Sequence, residues 1–129
     1  MHNKAAIFLQ ISSAILILNA AAFLFMPDLL GKLVGFTHHS PNTLVEVTAF
    51  YGGLELGIAI YLLWSTKTIY RSRHALMMVF FVFFAAGLAR LFGIFRFGFE
   101  DPSQPIVTIL EIGWSLAAYW MAKKIRQEF

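Results

Sequence analysis

Three ionisable residues, Arg90, Glu111 and Glu55, stand inside otherwise apolar segments of this chain. An arginine keeps its proton at any accessible pH, so an arginine inside a bilayer needs a carboxylate, a water-filled pocket or an anionic ligand beside it. If Glu111 is that carboxylate, Glu55 is left over as a second carboxyl group, which is suited to carrying a proton. These residue types therefore indicate ion pairing, binding of an acidic head group or proton transfer.

The composition indicates that the segments around these residues lie in lipid. Of the 129 residues, 59% are hydrophobic and 13% are charged, and the mean hydropathy is +0.71. A soluble domain of this size needs far more charge to cover its surface. The chain has no cysteine, which excludes disulfides, thiolate metal ligands and thiol redox chemistry.

Four apolar segments are long enough to cross about 30 Å of hydrocarbon as helices. They cover residues 5–26, 45–64, 75–97 and 106–122. We therefore predict an all-α fold, an integral membrane four-helix bundle that forms a single transmembrane domain over residues 1–129.

The segments between the spans are polar or rich in proline. Residues 27–34 predict a short amphipathic helix on the membrane surface, and residues 36–42 predict a polar loop. Residues 99–105 contain two prolines and predict a second loop, which ends the third helix before the fourth begins.

The basic residues predict how the spans are oriented. Both termini and the central turn are cytoplasmic by the positive-inside rule. The same distribution argues against a nucleic-acid partner, because these cations do not share one face. A cleavable signal peptide is the alternative for the first segment, although its apolar run is longer than a typical signal core. The cations that set the orientation are Lys4, Lys67, Arg71, Arg73, Lys123, Lys124 and Arg126.

Counting along the spans brings four polar residues, one from each helix, into one layer, with Glu55 below it. At 1.5 Å per residue, Arg90 and Glu111 lie roughly 5 to 6 Å from the midplane on the outer side. Asn19 and Tyr51 fall at the same height, and Glu55 lies about one turn deeper. At 100° per residue, each polar residue shares a helix face with small residues, as helix packing requires. We expect this layer and Glu55 to form the ligand-binding site.

Small residues also predict where the helices pack, and several cofactors are excluded. Gly52, Gly53, Gly57 and Gly87 are the predicted packing positions.

No histidine lies within a predicted span, which argues against a bis-histidine haem, and no lysine does, which excludes a retinal Schiff base. The pair His38-His39 has no third ligand at a suitable spacing, so we expect no metal and no cofactor.

Three motifs on successive helices resemble a known family. They are Tyr51-Gly52-Gly53-Leu54-Glu55-Leu56-Gly57, Ala89-Arg90-Leu91-Phe92-Gly93 and Glu111. They are similar to a family of small four-helix bacterial inner-membrane proteins called domain of unknown function forty-three forty-five, and the similarity covers nearly the whole chain. It implies four spans in a bacterial inner membrane, without an established reaction.

The chain departs from this family at one place and has a looser similarity elsewhere. The family often carries an arginine shortly before the tyrosine–glycine pair, where this chain has Glu46, Val47 and Thr48. A missing second cation there implies a different ligand. In layout the chain is also similar to DoxX-like small membrane proteins and to sterol-isomerase-type bundles, an analogy that does not define a function.

Three functions are consistent with the sequence. The first is binding or carrying a lipid-like or small anionic amphiphile in an intramembrane pocket centred on Arg90, with membrane lipids around it. The second is a structural or accessory subunit that forms a homo-oligomer or joins a larger membrane complex, with Arg90 and Glu111 as a staple between helices. The third is an intramembrane isomerase or hydrolase that uses Glu55 and Glu111 as acid and base. It has the least support, because the chain shows no catalytic nucleophile or metal set.

Overall fold

A computed structural model describes residues 2–35 and 40–127 of the chain, so the His38-His39 pair lies outside the described residues. All the regular secondary structure in the described part is helical. Four helical spans within it are long and apolar enough to cross a membrane: His2–Phe25, Pro41–Ser65, Ile69–Phe97 and Ser103–Ile125. The helices are α1 (His2–Phe25), α2 (Leu29–Val34), α3 (Pro41–Val47), α4 (Glu55–Ser65), α5 (Ile69–Phe97) and α6 (Ser103–Gln127), with a π-helix (Thr48–Leu54) between α3 and α4.

The helices extend beyond the predicted apolar segments because polar caps begin them. The hydroxyl of Ser40 accepts a hydrogen bond from the backbone N–H of Thr43, so α3 begins at Pro41 rather than at residue 45. Thr68 caps α5 in the same way by accepting from the N–H of Arg71. The predicted hydrophilic turn after Trp64 is therefore shorter than expected, since Arg71 and Arg73 belong to the first turns of α5.

The predicted loop over residues 99–105 is wrong in its second half. Helix α6 begins at Ser103 and includes Pro105, because proline is tolerated in a first helical turn, where its missing N–H has no helical partner to lose. The carboxylate of Asp101 accepts a hydrogen bond of 2.7 Å from the N–H of Ser103 and fixes this start. Gln104 is consequently helical.

The chain divides into two compact units. The first consists of the start of α1, up to Phe8, together with the chain from Lys67 onward. In it α5 and α6 pack along one another, and the ring of Phe8 stacks on that of Trp114 with 4.4 Å between centroids. Its buried residues are mostly small or aliphatic: Ala5, Ser72, Ala75, Leu76, Val79, Ser115, Ala118, Ala122 and Ile125.

The second unit runs over Leu9–Thr66. Its α1 and α4 are joined where the buried hydroxyl of Ser13 donates a hydrogen bond of 2.9 Å to the carbonyl of Ala59. Near the other end, Phe23 and Val47 form a small apolar cluster, and Leu29 of α2 packs against it. The predicted surface helix therefore exists over Leu29–Val34 and is anchored through Leu29.

Large apolar side chains cover much of the outside. Phe81 and Phe92, which the sequence places opposite Arg90, are 62% and 64% exposed. Small residues occupy the buried positions instead, which is the arrangement expected where lipid tails replace water around a helical protein. This distribution agrees with a multi-pass membrane protein.

Candidate functional site

Helices α5 and α6 approach each other most closely beside Gly87. A side chain built at Gly87 would place its first carbon 2.7 Å from Cγ1 of Ile112 and 3.5 Å from Cβ of Glu111. Separations under about 3 Å are overlaps, so only glycine fits here without a shift of Ile112. This close approach brings the backbone of α5 next to the base of the Glu111 side chain, one turn before Arg90.

Arg90 and Glu111 form a bidentate ion pair between the two helices. Nε of Arg90 donates to Oε2 of Glu111 at 3.0 Å, and Nη2 donates to Oε1 at 3.0 Å. The planar guanidinium matches the carboxylate in this arrangement, so the two groups make two parallel charge-assisted hydrogen bonds. The structure therefore brings these two predicted site residues together.

Gln104 is a site residue that the sequence analysis missed. Nη1 of Arg90 donates to Oε1 of Gln104 at 2.8 Å. Gln104 precedes Glu111 by two helical turns on the same face of α6, with Thr108 between them, whose hydroxyl donates to the carbonyl of Gln104. Polar residues at positions 104, 108 and 111 have the spacing of one helix face, which could have indicated Gln104 as a site residue. Pro105 instead led to the prediction of a loop over residues 99–105.

The ion pair is only partly covered by the protein. The side chain of Arg90 is 34% exposed and that of Glu111 is 16% exposed, so the guanidinium is the more open of the two. In hydrocarbon, an exposed charge is costly even when it is paired. The open part of Arg90 is therefore a position where a polar group of another molecule would stabilise the protein.

The second unit holds a separate polar pair. Nδ2 of Asn19, on α1, donates to Oε2 of Glu55 at 2.6 Å. Glu55 is half-buried and Asn19 is exposed. Two of the predicted site residues, Asn19 and Glu55, are thus joined by a hydrogen bond in the structure.

Tyr51 lies in the π-helix and does not share the buried side of its span. Its side chain is 43% exposed, and its ring packs against Phe23 with 5.3 Å between centroids. A π-helix closes i to i+5 hydrogen bonds, so it shifts the residues that follow it away from the faces predicted for an uninterrupted α-helix. Tyr51 is therefore a packing partner of α1 within this unit and does not contact Glu55.

The four predicted packing glycines differ in their surroundings. At Gly52, a first side-chain carbon would lie 2.8 Å from Cγ and Cδ2 of Leu24, so α1 and the π-helix are in close contact there. At Gly53 the nearest atom is the carbonyl oxygen of Thr48 at 3.9 Å, and at Gly57 nothing lies within 4 Å in the described part of the chain. Close helix contact is therefore seen at Gly52 and Gly87, whereas among the described residues no neighbouring helix comes within 4 Å of a side-chain carbon built at Gly53 or Gly57.

Among residues 2–35 and 40–127, no three metal-ligating side chains come together. Outside the spans, the hydroxyl and the backbone N–H of Ser103 donate to Asp101 and hold the pKa of this carboxyl below its ordinary value. Asp101 is thereby kept ionised at the start of α6, whose positive helix end favours a negative charge.

Comparison with known proteins identifies the family. The chain matches the model described as Domain of unknown function (DUF4345) over residues 5–122, and it belongs to that family. No curated protein and no solved structure matches the chain. The first resemblance noted in the sequence is thereby confirmed, whereas the DoxX-like similarity is not shown by any comparison.

Proposed function

We propose that this member of the DUF4345 family binds a lipid-like or small anionic amphiphile inside the membrane, with Arg90 as the anchor for its acidic head. The observation that carries the proposal is the partly open guanidinium of Arg90, in a helix that is apolar for most of its length. A charged group left 34% exposed in such surroundings is stabilised by a polar ligand.

The geometry around Arg90 suggests which contact a ligand would replace. Glu111 occupies the Nε and Nη2 edge with two charge-assisted hydrogen bonds. Gln104 meets Nη1 with a neutral amide oxygen, which is the weaker type of partner. A carboxylate or phosphate oxygen can therefore take the place of the Gln104 amide while Glu111 keeps the guanidinium in position.

We propose a bacterial inner-membrane location with both termini in the cytoplasm. The support is the positive-inside rule, since the basic residues cluster at the termini and around Lys67. With this orientation, the loop that contains Glu100 and Asp101 is periplasmic, and Gln104 is two residues inside the helix that follows it. A ligand head would then reach Arg90 from the outer leaflet.

We propose further that Asn19, Glu55 and Tyr51 form a second polar site, within the unit that covers Leu9–Thr66. Glu55 shares its carboxylate with Asn19, a neutral group, so it can gain or lose a proton without breaking an ion pair. A protein that carries its ligand could couple that movement to the protonation of Glu55. A transport or binding curve that does not change with pH would contradict coupling to the protonation of Glu55.

A structural role is the second candidate, and the bidentate geometry favours it. Two hydrogen bonds to Glu111 and the tight contact at Gly87 fasten α5 to α6 at adjacent turns. A subunit of a homo-oligomer or of a larger membrane complex needs such a rigid pair of helices. In that case a neighbouring protein, not a ligand, would cover the open side of Arg90.

Mass spectrometry of lipids that copurify with the protein tests the binding function. The variants are Arg90→Gln, Gln104→Ala and, as a matched control, Arg96→Gln. Arg96 lies on the same helix, is exposed and stacks on Phe97 at 5.1 Å, so its loss removes the same charge away from the site. We expect an acidic amphiphile to copurify with wild type, with Gln104→Ala and with Arg96→Gln. We expect none to copurify with Arg90→Gln.

Two results would contradict binding at Arg90. One is a wild-type protein that carries no amphiphile and whose thermal stability does not respond to any added acidic lipid. The other is an equal loss of ligand in Arg90→Gln and Arg96→Gln, which would indicate attraction by overall charge. Circular dichroism of each variant checks that the helices are retained.

A further inference from the structure

A cleft between α5 and α6 lies at the opposite end of these helices from Gln104. It has a volume of about 220 Å³ and is lined by Arg73, Met77, Tyr119, Ala122 and Lys123. The lining residues are one turn apart on each helix, Arg73 with Met77 and Tyr119 with Lys123, so each helix presents one face to the cleft. The small side chain of Ala122 leaves the space open.

Neither cation of the cleft forms an ion pair with an acidic residue among residues 2–35 and 40–127. Nε of Arg73 is buried and has no hydrogen-bond partner among the described residues. The ammonium of Lys123 lies 5.6 Å from the ring centroid of Tyr119, a contact that holds the charge without neutralising it. The sequence has no Asp or Glu at residues 66–99 or 112–127, so neither helix supplies a carboxylate near this end.

A buried guanidinium donor without a partner is costly, and two cations facing one cleft repel each other. An anion with several acceptor oxygens removes this repulsion, because it can accept from the guanidinium of Arg73 and the ammonium of Lys123 together. We propose that this cleft binds a phosphate group, supplied either by the head of an anionic phospholipid or by free phosphate. The site goes beyond the function proposed for Arg90.

The surroundings suit a phosphate at the level of lipid heads. Tyr70 and Trp120 are exposed on the same ends of α5 and α6, where aromatic side chains mark the membrane boundary. Arg73 and Arg90 are 17 positions apart on α5, which at 1.5 Å per residue is about 25 Å. A ligand in this cleft therefore cannot reach Arg90 with the same head group.

Native mass spectrometry of the full-length protein with phosphatidylglycerol or phosphatidylcholine tests this site. The variants are Arg73→Gln and Lys123→Gln, and Lys124→Gln is the matched control. Lys124 is the next residue of α6, but it lies 3.7 Å over the ring of Trp120 and does not line the cleft. Lys123 is exposed, so Lys123→Gln should fold even if Arg73→Gln does not.

We expect phosphatidylglycerol to bind about tenfold more weakly to Arg73→Gln and to Lys123→Gln than to wild type, since each loses a charge-assisted hydrogen bond. Lys124→Gln should stay within about twofold of wild type, as expected for an exposed cation outside the site. Thermal stability measured with added inorganic phosphate identifies the source. The ligand is free phosphate if inorganic phosphate stabilises wild type but not Lys123→Gln, while phosphatidylglycerol binds equally to both proteins.

Two outcomes would overturn the phosphate site. In one, all three variants weaken binding equally, which indicates a diffuse basic surface. In the other, Lys123→Gln binds both phosphatidylglycerol and inorganic phosphate as wild type does.

Discussion

At the scale of single residues, the environment of Arg90 decides how the protein can act. Glu111 neutralises the guanidinium through two hydrogen bonds, and Gln104 contacts its remaining terminal nitrogen, Nη1. An ion pair with this geometry is strongly coupled, so removal of one member leaves the other charge without its partner. The pair joins the two helices, and in the function proposed above it is also the fixed part of a binding site. What covers the open side of Arg90, a ligand or a neighbouring protein, distinguishes the two roles.

Breaking the pair should destabilise the protein more than removing it entirely. We expect Arg90→Gln and Glu111→Gln each to lower the free energy of unfolding by roughly 1.5–3 kcal/mol, the range for hydrogen bonds to charged groups. The double variant should lose less than either single variant, because two neutral amides can bond to each other and neither charge is left without its partner. Unfolding in mixed detergent micelles measures this, with Arg96→Gln as the control. Strict additivity of the two single changes would show that the pair is not coupled.

The contact between Asn19 and Glu55 should depend on a hydrogen bond and not on charge. Glu55→Gln keeps an acceptor oxygen for the Asn19 amide, so its free energy of unfolding should stay within about 0.5 kcal/mol of wild type. Asn19→Leu removes the donor and should cost about 0.6–1.7 kcal/mol, as found for hydrogen bonds between membrane helices. Asn3→Leu on the same helix is the matched control. A large loss in Glu55→Gln would show that the ionised carboxylate is required.

At the scale of elements, close packing of α5 on α6 sets the position of Arg90. Gly87 allows the backbones to approach, and one turn later Arg90 reaches Glu111. The cap formed by Asp101 starts α6 early enough to make Gln104 helical. The site therefore depends on one glycine and one helix start as much as on its charged residues.

Gly87→Ala tests this close approach. The added methyl group would meet Cγ1 of Ile112, and we expect a loss of about 1–3 kcal/mol in the free energy of unfolding, as for other overpacked positions. Gly93→Ala on the same helix has nothing within 4 Å in the described residues. It should be neutral or stabilising by up to about 1 kcal/mol, because alanine favours the helix. Ile112→Ala combined with Gly87→Ala should relieve the overlap, and failure to do so would place the strain elsewhere.

Hydropathy alone was enough to predict the four spans, since each needs a long apolar run, and the structure confirms four helices that are long and apolar enough to cross a membrane. Helix ends were harder to predict because caps such as Ser40 and Thr68 extend helices beyond the apolar run. Gln104 was missed because the proline at residue 105 predicts a loop unless it is known to lie in the first turn of a helix. The exposure of Tyr51 was not predicted, because the π-helix in which it lies changes the faces of its span.

At the scale of the whole molecule, the distribution of charge predicts the orientation in the membrane. Basic residues gather around Lys67 and near the carboxyl end, while Glu100 and Asp101 lie in the loop between α5 and α6. The Arg90 site is near that acidic loop, and the phosphate cleft is at the basic end. Each proposed ligand would therefore be met on a different side of the membrane.

Because the chain has no cysteine, single cysteines can report this orientation directly. We expect Glu100→Cys to react with a membrane-impermeant maleimide in intact cells, because the positive-inside rule places its loop in the periplasm. Lys67→Cys should react only after the membrane is permeabilised. The reverse pattern of labelling would invert the proposed topology and place the Arg90 site toward the cytoplasm.

The proposed ligand site is tested most directly by an experimental density map of the protein crystallised from native lipid without delipidation. We predict density for a non-protein head group within hydrogen-bonding distance of Nη1 of Arg90, with Gln104 displaced and Glu111 still bidentate. An Arg90 that keeps the Gln104 contact and whose open side is empty, or is covered by a neighbouring protein, would contradict ligand binding at this site.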